Sequence, residues 1–303
     1  MFQPKTLTHN QSSITLYPER WGIITSMKIW WIELLYQGML EETLHDSTKN
    51  VRWGIPILFP NAGFLTDDEK IQSWWSFPQH GFARTNEWRF WCIRHCEERS
   101  NPGIWHSEEW DICSVCGQGA DSSYLGMTKN HNQVTQSLSS SDIPDMFGYE
   151  WNWSVENTII LSDEWVELRY SIANNSDKEL PISWWLHPYW DVPLWDKSLI
   201  EWNFAGGDII ASDIDNWSRG GTTRIDVPDD GIISFTIPWV GTIELQFSPE
   251  FRRLWIWSLP DKNFVCVEPV MWDDGNIVSN PILIPAWGKN SSLMQVKVID
   301  RSI

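Results

Sequence analysis

A histidine inside a run of bulky aromatic residues is the first candidate for chemistry in this sequence. His187 lies in the stretch from Trp184 to Trp190 and is followed directly by Pro188. An alternating apolar run precedes the stretch, so we expect His187 at the end of a buried strand, pointing into a concave surface. An imidazole in such a place can transfer protons near neutral pH. The alternative is a core histidine whose ring is satisfied by a backbone carbonyl.

A carboxylate near the end of a second apolar strand is the next candidate. Glu268 follows four apolar residues, Phe264 to Val267, and Pro269 comes directly after it. Burial at such a strand end would raise the pKa of the carboxyl group and make it a better base near neutrality. The alternative is a partly exposed glutamate that pairs with an arginine.

Donors for a ligand occur in the stretch from His80 to Trp88. Gly81 lets the backbone approach a ligand or another strand closely. His80 and Arg84 can donate hydrogen bonds to sugar hydroxyls or to a phosphate. For Arg84 the alternative is a buried ion pair with an acidic neighbour. Residues 52–63 form an apolar run broken by prolines and glycines, which predicts a loop or edge strand beside a cavity.

Strand patterns dominate the rest of the chain. Apolar and polar residues alternate around Trp151 and Trp153, from Val166 to Ile172, and from Leu293 to Ile299, whereas helical periodicity is hardly visible. We therefore predict an all-β fold in a single domain, residues 1–303. The strand pattern fails after residue 96, and we predict a surface insertion at 97–132.

Composition excludes several classes of partner. The formal net charge is -18, and the 22 lysines and arginines are scattered, which disfavours binding to nucleic acid or to membrane surfaces. No run approaches the length needed to cross a bilayer. The first residues lack the apolar core of a signal peptide, so the expected location is the cytoplasm. We expect a monomer or a weak homodimer.

Cysteines and tryptophans each allow two interpretations. The five cysteines form an odd count with no secretory signal, which favours free thiols. The alternative is a zinc cluster, made from Cys92, Cys96, Cys113 and Cys116 with His95 and His106. The chain also has 24 tryptophans. They can simply fill a large β core, or some can lie against the apolar face of a sugar.

Four motifs together resemble a known family. They are, in order, Gly54 to Pro60, His80 to Arg84, Leu186 to Trp190 and Phe264 to Pro269. Each motif alone is weak, but their order and spread resemble the aldose 1-epimerase (galactose mutarotase-like) family, closest to its hexose-6-phosphate mutarotase branch. The resemblance implies a large antiparallel β-sandwich whose concave face holds a pyranose.

The resemblance also implies roles for single residues. His187 matches the general acid that protonates the ring oxygen, and Glu268 the general base that takes the proton of the anomeric hydroxyl. His80 and Arg84 match substrate-binding positions, and Arg52 matches a position that binds the sugar or its phosphate. An aspartate between 208 and 215, for which we take Asp213, should bind hydroxyls.

The implied reaction is the interconversion of α and β anomers of a hexose or hexose 6-phosphate. One group removes the proton on O1 while another protonates the ring oxygen, and the opened sugar rotates and recloses. No cofactor or metal is needed for these steps, and we expect none. Two other classes remain: a non-catalytic sugar-binding protein on the same fold, and a carbohydrate lyase or hydrolase, which would need a second carboxylate or a long cleft.

Overall fold

The computed structural model describes residues 2–46, 48–76, 78–93, 132–193, 196–271 and 277–300. The insertion expected at 97–132 lies, apart from Asn132, outside these residues. The same holds for His95, Cys96, His106, Cys113 and Cys116 of the alternative zinc cluster. Those two interpretations therefore stay predictions.

The described residues form twenty strands, four short α-helices and two 3-10 helices, Ser140–Asp142 and Lys197–Leu199. The strands are β1 (Lys5–His9), β2 (Ser12–Tyr17), β3 (Ile23–Ile29), β4 (Ile32–Glu33), β5 (Ile57–Leu58), β6 (Arg89–Ile93), β7 (Asn132–Ser139), β8 (Trp153–Leu161), β9 (Trp165–Asn174), β10 (Leu180–Ile182), β11 (Trp185–Leu186), β12 (Tyr189–Asp191), β13 (Glu201–Trp202), β14 (Thr222–Asp226), β15 (Ile232–Ile237), β16 (Gly241–Phe247), β17 (Arg253–Trp257), β18 (Phe264–Val270), β19 (Ile282–Ile284) and β20 (Lys289–Asp300). The helices are α1 (Leu40–Thr43), α2 (Asp67–Ser73), α3 (Gly207–Ser212) and α4 (Ile214–Trp217).

Two large antiparallel sheets organise the fold. The eight-stranded sheet has the order β13-β15-β16-β20-β9-β8-β7-β6, and the six-stranded sheet has the order β14-β17-β18-β11-β5 with β12 also paired to β18. A four-stranded sheet, β1 to β4, and a two-stranded sheet, β10 with β19, complete the architecture. The prediction of an all-β antiparallel sandwich is confirmed.

Alternating side chains build the core between the two large sheets. On β9 the residues Val166, Leu168 and Ile172 are buried, and they share one hydrophobic cluster with Leu254 and Ile256 of β17. Successive side chains of a strand point to opposite faces, so each of these strands gives one apolar face to this cluster. β18 differs, because all seven of its residues are buried. Glu268 therefore lies in a strand that is covered on both faces.

The helices are the elements that the sequence pattern did not predict. α2 begins with a capping box, in which the Thr66 side chain accepts from the backbone of Glu69 and the Glu69 carboxylate accepts from the backbone of Thr66. α3 starts at Gly207, directly after a turn that ends at Gly206. None of the helices in the described part of the chain has the length and apolar character that a membrane span requires.

Candidate active site

The register of three short strands brings His187 and Glu268 together. In β11, Trp185 pairs with Val270 of β18, and in β12, Tyr189 pairs with Cys266 of the same strand. Both pairings belong to one continuous antiparallel register, so residue 187, between β11 and β12, falls opposite residue 268. Directly opposed side chains on one face of antiparallel strands lie close together.

The two side chains meet inside the protein. His187 Nε2 lies 3.4 Å from Glu268 Oε1. His187 is 9% exposed and Glu268 is 3% exposed. The backbone N–H of His187 donates to the carbonyl of Pro56 at 3.2 Å, which ties the histidine to the segment before β5. Among the described residues Nδ1 of His187 has no hydrogen-bond partner.

Aromatic rings fix the orientation of His187. Its imidazole stacks on Tyr189, with ring centroids 4.7 Å apart and planes 7° apart. Trp257 and His80 each meet it edge-on, at centroid distances of 5.9 Å and 6.2 Å. A ring held on three sides loses little further freedom when a ligand binds, which favours a defined position for proton transfer.

Burial sets the protonation preferences of the pair. Burial, together with a smaller contribution from the positive charge of Arg84, lowers the pKa of His187 to about 3, and a hydrogen bond to its own backbone acts in the opposite direction. Desolvation raises the pKa of Glu268 well above its usual range. Both shifts favour neutral groups. A buried carboxylate is thereby a stronger base, and a buried imidazolium is a stronger acid, than either would be in water.

Two hydrogen bonds with the backbone of Gly63 hold His80 beside His187 and Glu268. The N–H of His80 donates to the carbonyl of Gly63 at 2.8 Å, and its Nδ1 accepts from the N–H of Gly63 at 2.9 Å. Because Nδ1 accepts, the neutral ring carries its proton on Nε2 and can donate from there. Burial lowers the pKa of His80, and the charge of Arg84 acts in the same direction. His80 is thus a neutral hydrogen-bond donor.

The next residue is a glycine because the backbone passes another strand here. Gly81 has φ +70°, and a Cβ on it would lie 2.1 Å from the carbonyl oxygen of Phe59. That carbonyl accepts hydrogen bonds from Phe82 and Ala83. The close approach therefore positions the whole segment from His80 to Arg84 against β5.

We expect Gly81→Ala to destabilise the protein by about 1–3 kcal/mol more than Gly220→Ala does, because the new methyl group overlaps a hydrogen-bonded backbone carbonyl. Gly220 is the matched control: its φ is +98°, and a Cβ there would meet Leu259 at an ordinary 3.8 Å. Both variants carry the backbone strain of an alanine at positive φ, so their difference isolates the overlap. Urea unfolding measures it. Equal free energies of unfolding for the two variants would contradict this account of the segment.

Two arginines, Arg84 and Arg52, contribute positive charge near the histidine side of the site. Nη2 of Arg84 donates to Asn50 Oδ1 at 3.1 Å, and no carboxylate within the described residues forms an ion pair with it. Its pKa is lowered by burial, raised by Tyr189 and lowered by the neighbouring positive charge of Arg52. Arg52 is exposed. The alternative of a buried Arg84 ion pair is thus not found in the part of the chain that the structure describes. Arg84 and Arg52 lie within electrostatic reach of each other, which favours an anionic ligand.

Comparison with known proteins supports the fold. No family model matches the chain. A protein of Synechocystis sp. PCC 6803 superposes with a TM-score of 0.73 at 19% identity, covering 98% of this chain and 96% of that one. A galactose mutarotase related enzyme of Lactobacillus acidophilus has a TM-score of 0.62 at 16% identity, covering 99% and 100% of the two chains. A galactose mutarotase-like protein of Clostridium acetobutylicum has a TM-score of 0.63 at 13% identity, with 96% and 93% covered.

This is the galactose mutarotase-like fold. The resemblance inferred from four sequence motifs is confirmed at the level of architecture. The identities are low, so the likeness establishes the fold and leaves activity and substrate to be argued from the site.

Sequence reasoning missed one arginine that supports the candidate site. Arg20 is fully buried, and its Nη2 donates to the carbonyls of Thr43, Asp46 and Lys49. These carbonyls belong to the last residue of α1 and to the loop after it, which leads to Asn50, the partner of Arg84. Arg20 thus anchors the loop that holds Arg84. Its pKa is lowered to about 10, mainly by burial, while Asp46 raises it and the charge of Arg84 lowers it.

Asp213 is not brought into contact with the other candidates. Its carboxylate Oδ2 accepts from Asn216 Nδ2 at 3.0 Å and also from the hydroxyl of Thr223. These hydrogen bonds lower the pKa of the carboxyl group. Within the described residues it has no contact with His187, Glu268, His80 or Arg84. Its local bonds are those of a residue that fixes the connection between α3, α4 and β14, and its role in binding stays a prediction.

Tryptophans contribute more to the site than the motifs indicated. Trp255 pairs with Glu268 across β17 and β18, and it packs against Trp185 with ring centroids 4.3 Å apart. The guanidinium of Arg224 lies over the ring of Trp255, 4.2 Å from its centroid. The indole N–H groups of Trp185 and Trp255 have no hydrogen-bond partner among the described residues. The tryptophan excess was the available signal, but composition alone could not say which rings reach the site.

Proposed function

We propose that the protein is an aldose 1-epimerase, which interconverts the α and β anomers of a hexose or hexose 6-phosphate by general acid and base catalysis. The observation that carries the proposal is the approach of His187 Nε2 to Glu268 Oε1, 3.4 Å apart and buried. The anomeric hydroxyl and the ring oxygen of a pyranose are bonded to the same carbon. A base and an acid this close together can therefore serve both oxygens at once.

The proton balance of the reaction fits this pair. Glu268, as a carboxylate, takes the proton of the O1 hydroxyl while the bond between C1 and the ring oxygen breaks. His187, as an imidazolium, gives its proton to the ring oxygen, so the open aldehyde faces two neutral side chains. After rotation about the bond between C1 and C2, the same transfers run backwards and close the ring as either anomer. No proton is gained or lost overall.

Burial supports both halves of this cycle. The desolvated pair favours the neutral state, which is the state reached when the ring opens. Burial destabilises the charged carboxylate and imidazolium, which the closed-ring complex contains. Both proton transfers are therefore favoured in the direction of ring opening. His80 supplies a neutral donor beside His187, and the stacked Tyr189 keeps the imidazole in place.

Arg84 and Arg52 support a phosphorylated sugar as the substrate. The chain carries a net charge of -18, so its overall field does not attract anions. Local guanidinium groups without a carboxylate partner are the remaining means of holding a phosphate. A neutral hexose would need neither charge. The preferred substrate of this proposal is therefore a hexose 6-phosphate.

Arg84→Gln tests the substrate. We expect it to raise KM for glucose 6-phosphate about tenfold or more, since a charged hydrogen bond is worth about 1.5–3 kcal/mol, and to change KM for glucose much less. NMR magnetisation exchange between anomers gives both values. Arg219→Gln is the matched control, because Arg219 is an exposed residue that pairs with Asp215. Equal changes in KM for the two sugars would remove the phosphate from the proposal and leave the acid and base roles standing.

A further inference from the structure

A third metal-ligating side chain adjoins the catalytic pair. Cys266 is fully buried in β18, two residues before Glu268, so both side chains point to the same face of the strand. One ligand atom from each of His187, Cys266 and Glu268 can be chosen such that the three lie within 4.8 Å of one another. The reaction proposed above uses the imidazole and the carboxylate but has no use for the thiol.

We propose that His187, Cys266 and Glu268 form a zinc site, and that a zinc ion bound there blocks the reaction. A thiolate, an imidazole and a carboxylate are all ligands of zinc, and three protein ligands leave the fourth tetrahedral position open. Metal binding is independent of the proposed function. The inhibition does rest on the proposed function, because the zinc ion would occupy both the proposed acid, His187, and the proposed base, Glu268.

Distances favour a tetrahedral ion. Imidazole nitrogen and carboxylate oxygen bind zinc at about 2.0–2.2 Å, which places two such atoms about 3.4 Å apart at a tetrahedral angle. His187 Nε2 and Glu268 Oε1 are already 3.4 Å apart. The thiolate binds at about 2.3 Å and must lie about 3.6 Å from the other two ligands. Because the three ligand atoms lie within 4.8 Å of one another, the cysteine side needs to contract by no more than about 1.2 Å.

Charge and ligand type select the ion. A thiolate and a carboxylate together neutralise one divalent cation, which suits a buried site. Magnesium and calcium prefer oxygen ligands, whereas the sulfur and nitrogen donors favour zinc. The positive charge of Arg84, which acts on His187, weakens the binding of a zinc ion beside it. Zinc should consequently bind reversibly rather than as a permanent structural ion.

Cobalt reports the site directly, because Co²⁺ bound to a thiolate gives a charge-transfer absorption. The full chain and its Cys266→Ser variant are titrated with Co²⁺ alone. Both proteins keep Cys92, Cys96, Cys113 and Cys116, so any signal from these four is common to both. We expect wild type to show one additional equivalent of thiolate-bound cobalt, displaced by Zn²⁺. Loss of the Cys266 thiolate should weaken Zn²⁺ binding by about 10- to 100-fold. Cys266→Ala is measured as a second variant in case serine impairs folding.

Anomer exchange then tests the inhibition. We expect Zn²⁺ to slow wild type strongly and a chelator to restore it, while Cys266→Ser keeps its basal rate and loses most of the inhibition. Identical cobalt spectra for wild type and both variants would overturn the zinc site. Equal inhibition of wild type and variant would overturn its link to catalysis. An additional cobalt equivalent in a protein without anomer exchange would uphold the metal site and reject the proposed function. Anomer exchange in a protein without the additional cobalt equivalent would reject the metal site and uphold the proposed function.

Discussion

Glu268→Gln is expected to slow catalysed anomer exchange by about 10²- to 10⁴-fold, the usual contribution of one general acid or base. The amide has the size of the carboxyl group but cannot take the proton of the O1 hydroxyl. Burial raises the pKa of Glu268, so the neutral glutamine resembles the form that the folded protein already prefers. The fold should therefore keep its stability. Polarimetry of freshly dissolved sugar measures the rate, and circular dichroism checks the fold.

Glu201→Gln is the control for this substitution. Glu201 is exposed on β13 of the eight-stranded sheet, whereas β18 belongs to the six-stranded sheet. Its replacement should leave the rate unchanged. A Glu268→Gln protein with wild-type activity and a native spectrum would show that this carboxylate is not the base.

His187→Asn is expected to slow exchange over a similar range, about 10²- to 10⁴-fold, because the variant has no group that can protonate the ring oxygen. The substitution also removes the ring that stacks on Tyr189 at 4.7 Å, so some increase in KM should accompany the loss of kcat. Ring opening needs both proton transfers in one step. Effects of residues that act as a unit are strongly non-additive, so the double variant should be scarcely slower than either single one.

His45→Asn serves as the matched histidine control. His45 is exposed, and its Nδ1 accepts from the backbone of Phe2. We expect a wild-type rate for this protein. If the His187 and Glu268 variants instead had multiplicative effects, the two residues would act in separate steps, and the concerted account of ring opening would be wrong.

The strands were predictable because period-2 alternation is a local signal. β9 and β20 read directly as alternating runs, and the structure buries Val166, Leu168, Val296 and Val298 accordingly. The helices were not predicted, because α2 and α3 have seven and six residues, too few for a 3.6-residue period to become visible. The capping box of Thr66 and Glu69 was the one local sign of α2.

The site was predictable only through motifs, because its geometry depends on long-range pairing. Nothing local in the sequence shows that β11 and β12 continue one register against β18, which is what sets His187 opposite Glu268. Arg20 illustrates the limit: its three acceptors are backbone carbonyls between residues 43 and 49, and such contacts leave no residue-type pattern. Asp213 was chosen from a region and not from a motif, and its observed partners are Asn216 and Thr223.

The central claim is catalysed anomer exchange, and NMR magnetisation exchange on glucose, galactose and glucose 6-phosphate tests it most directly. The Glu268→Gln protein supplies the baseline for spontaneous mutarotation in the same buffer. The account predicts that wild type accelerates at least one of these sugars well above that baseline, with glucose 6-phosphate preferred. Sugar binding without acceleration of any of the three would contradict it, and would make this mutarotase-like fold a binding module.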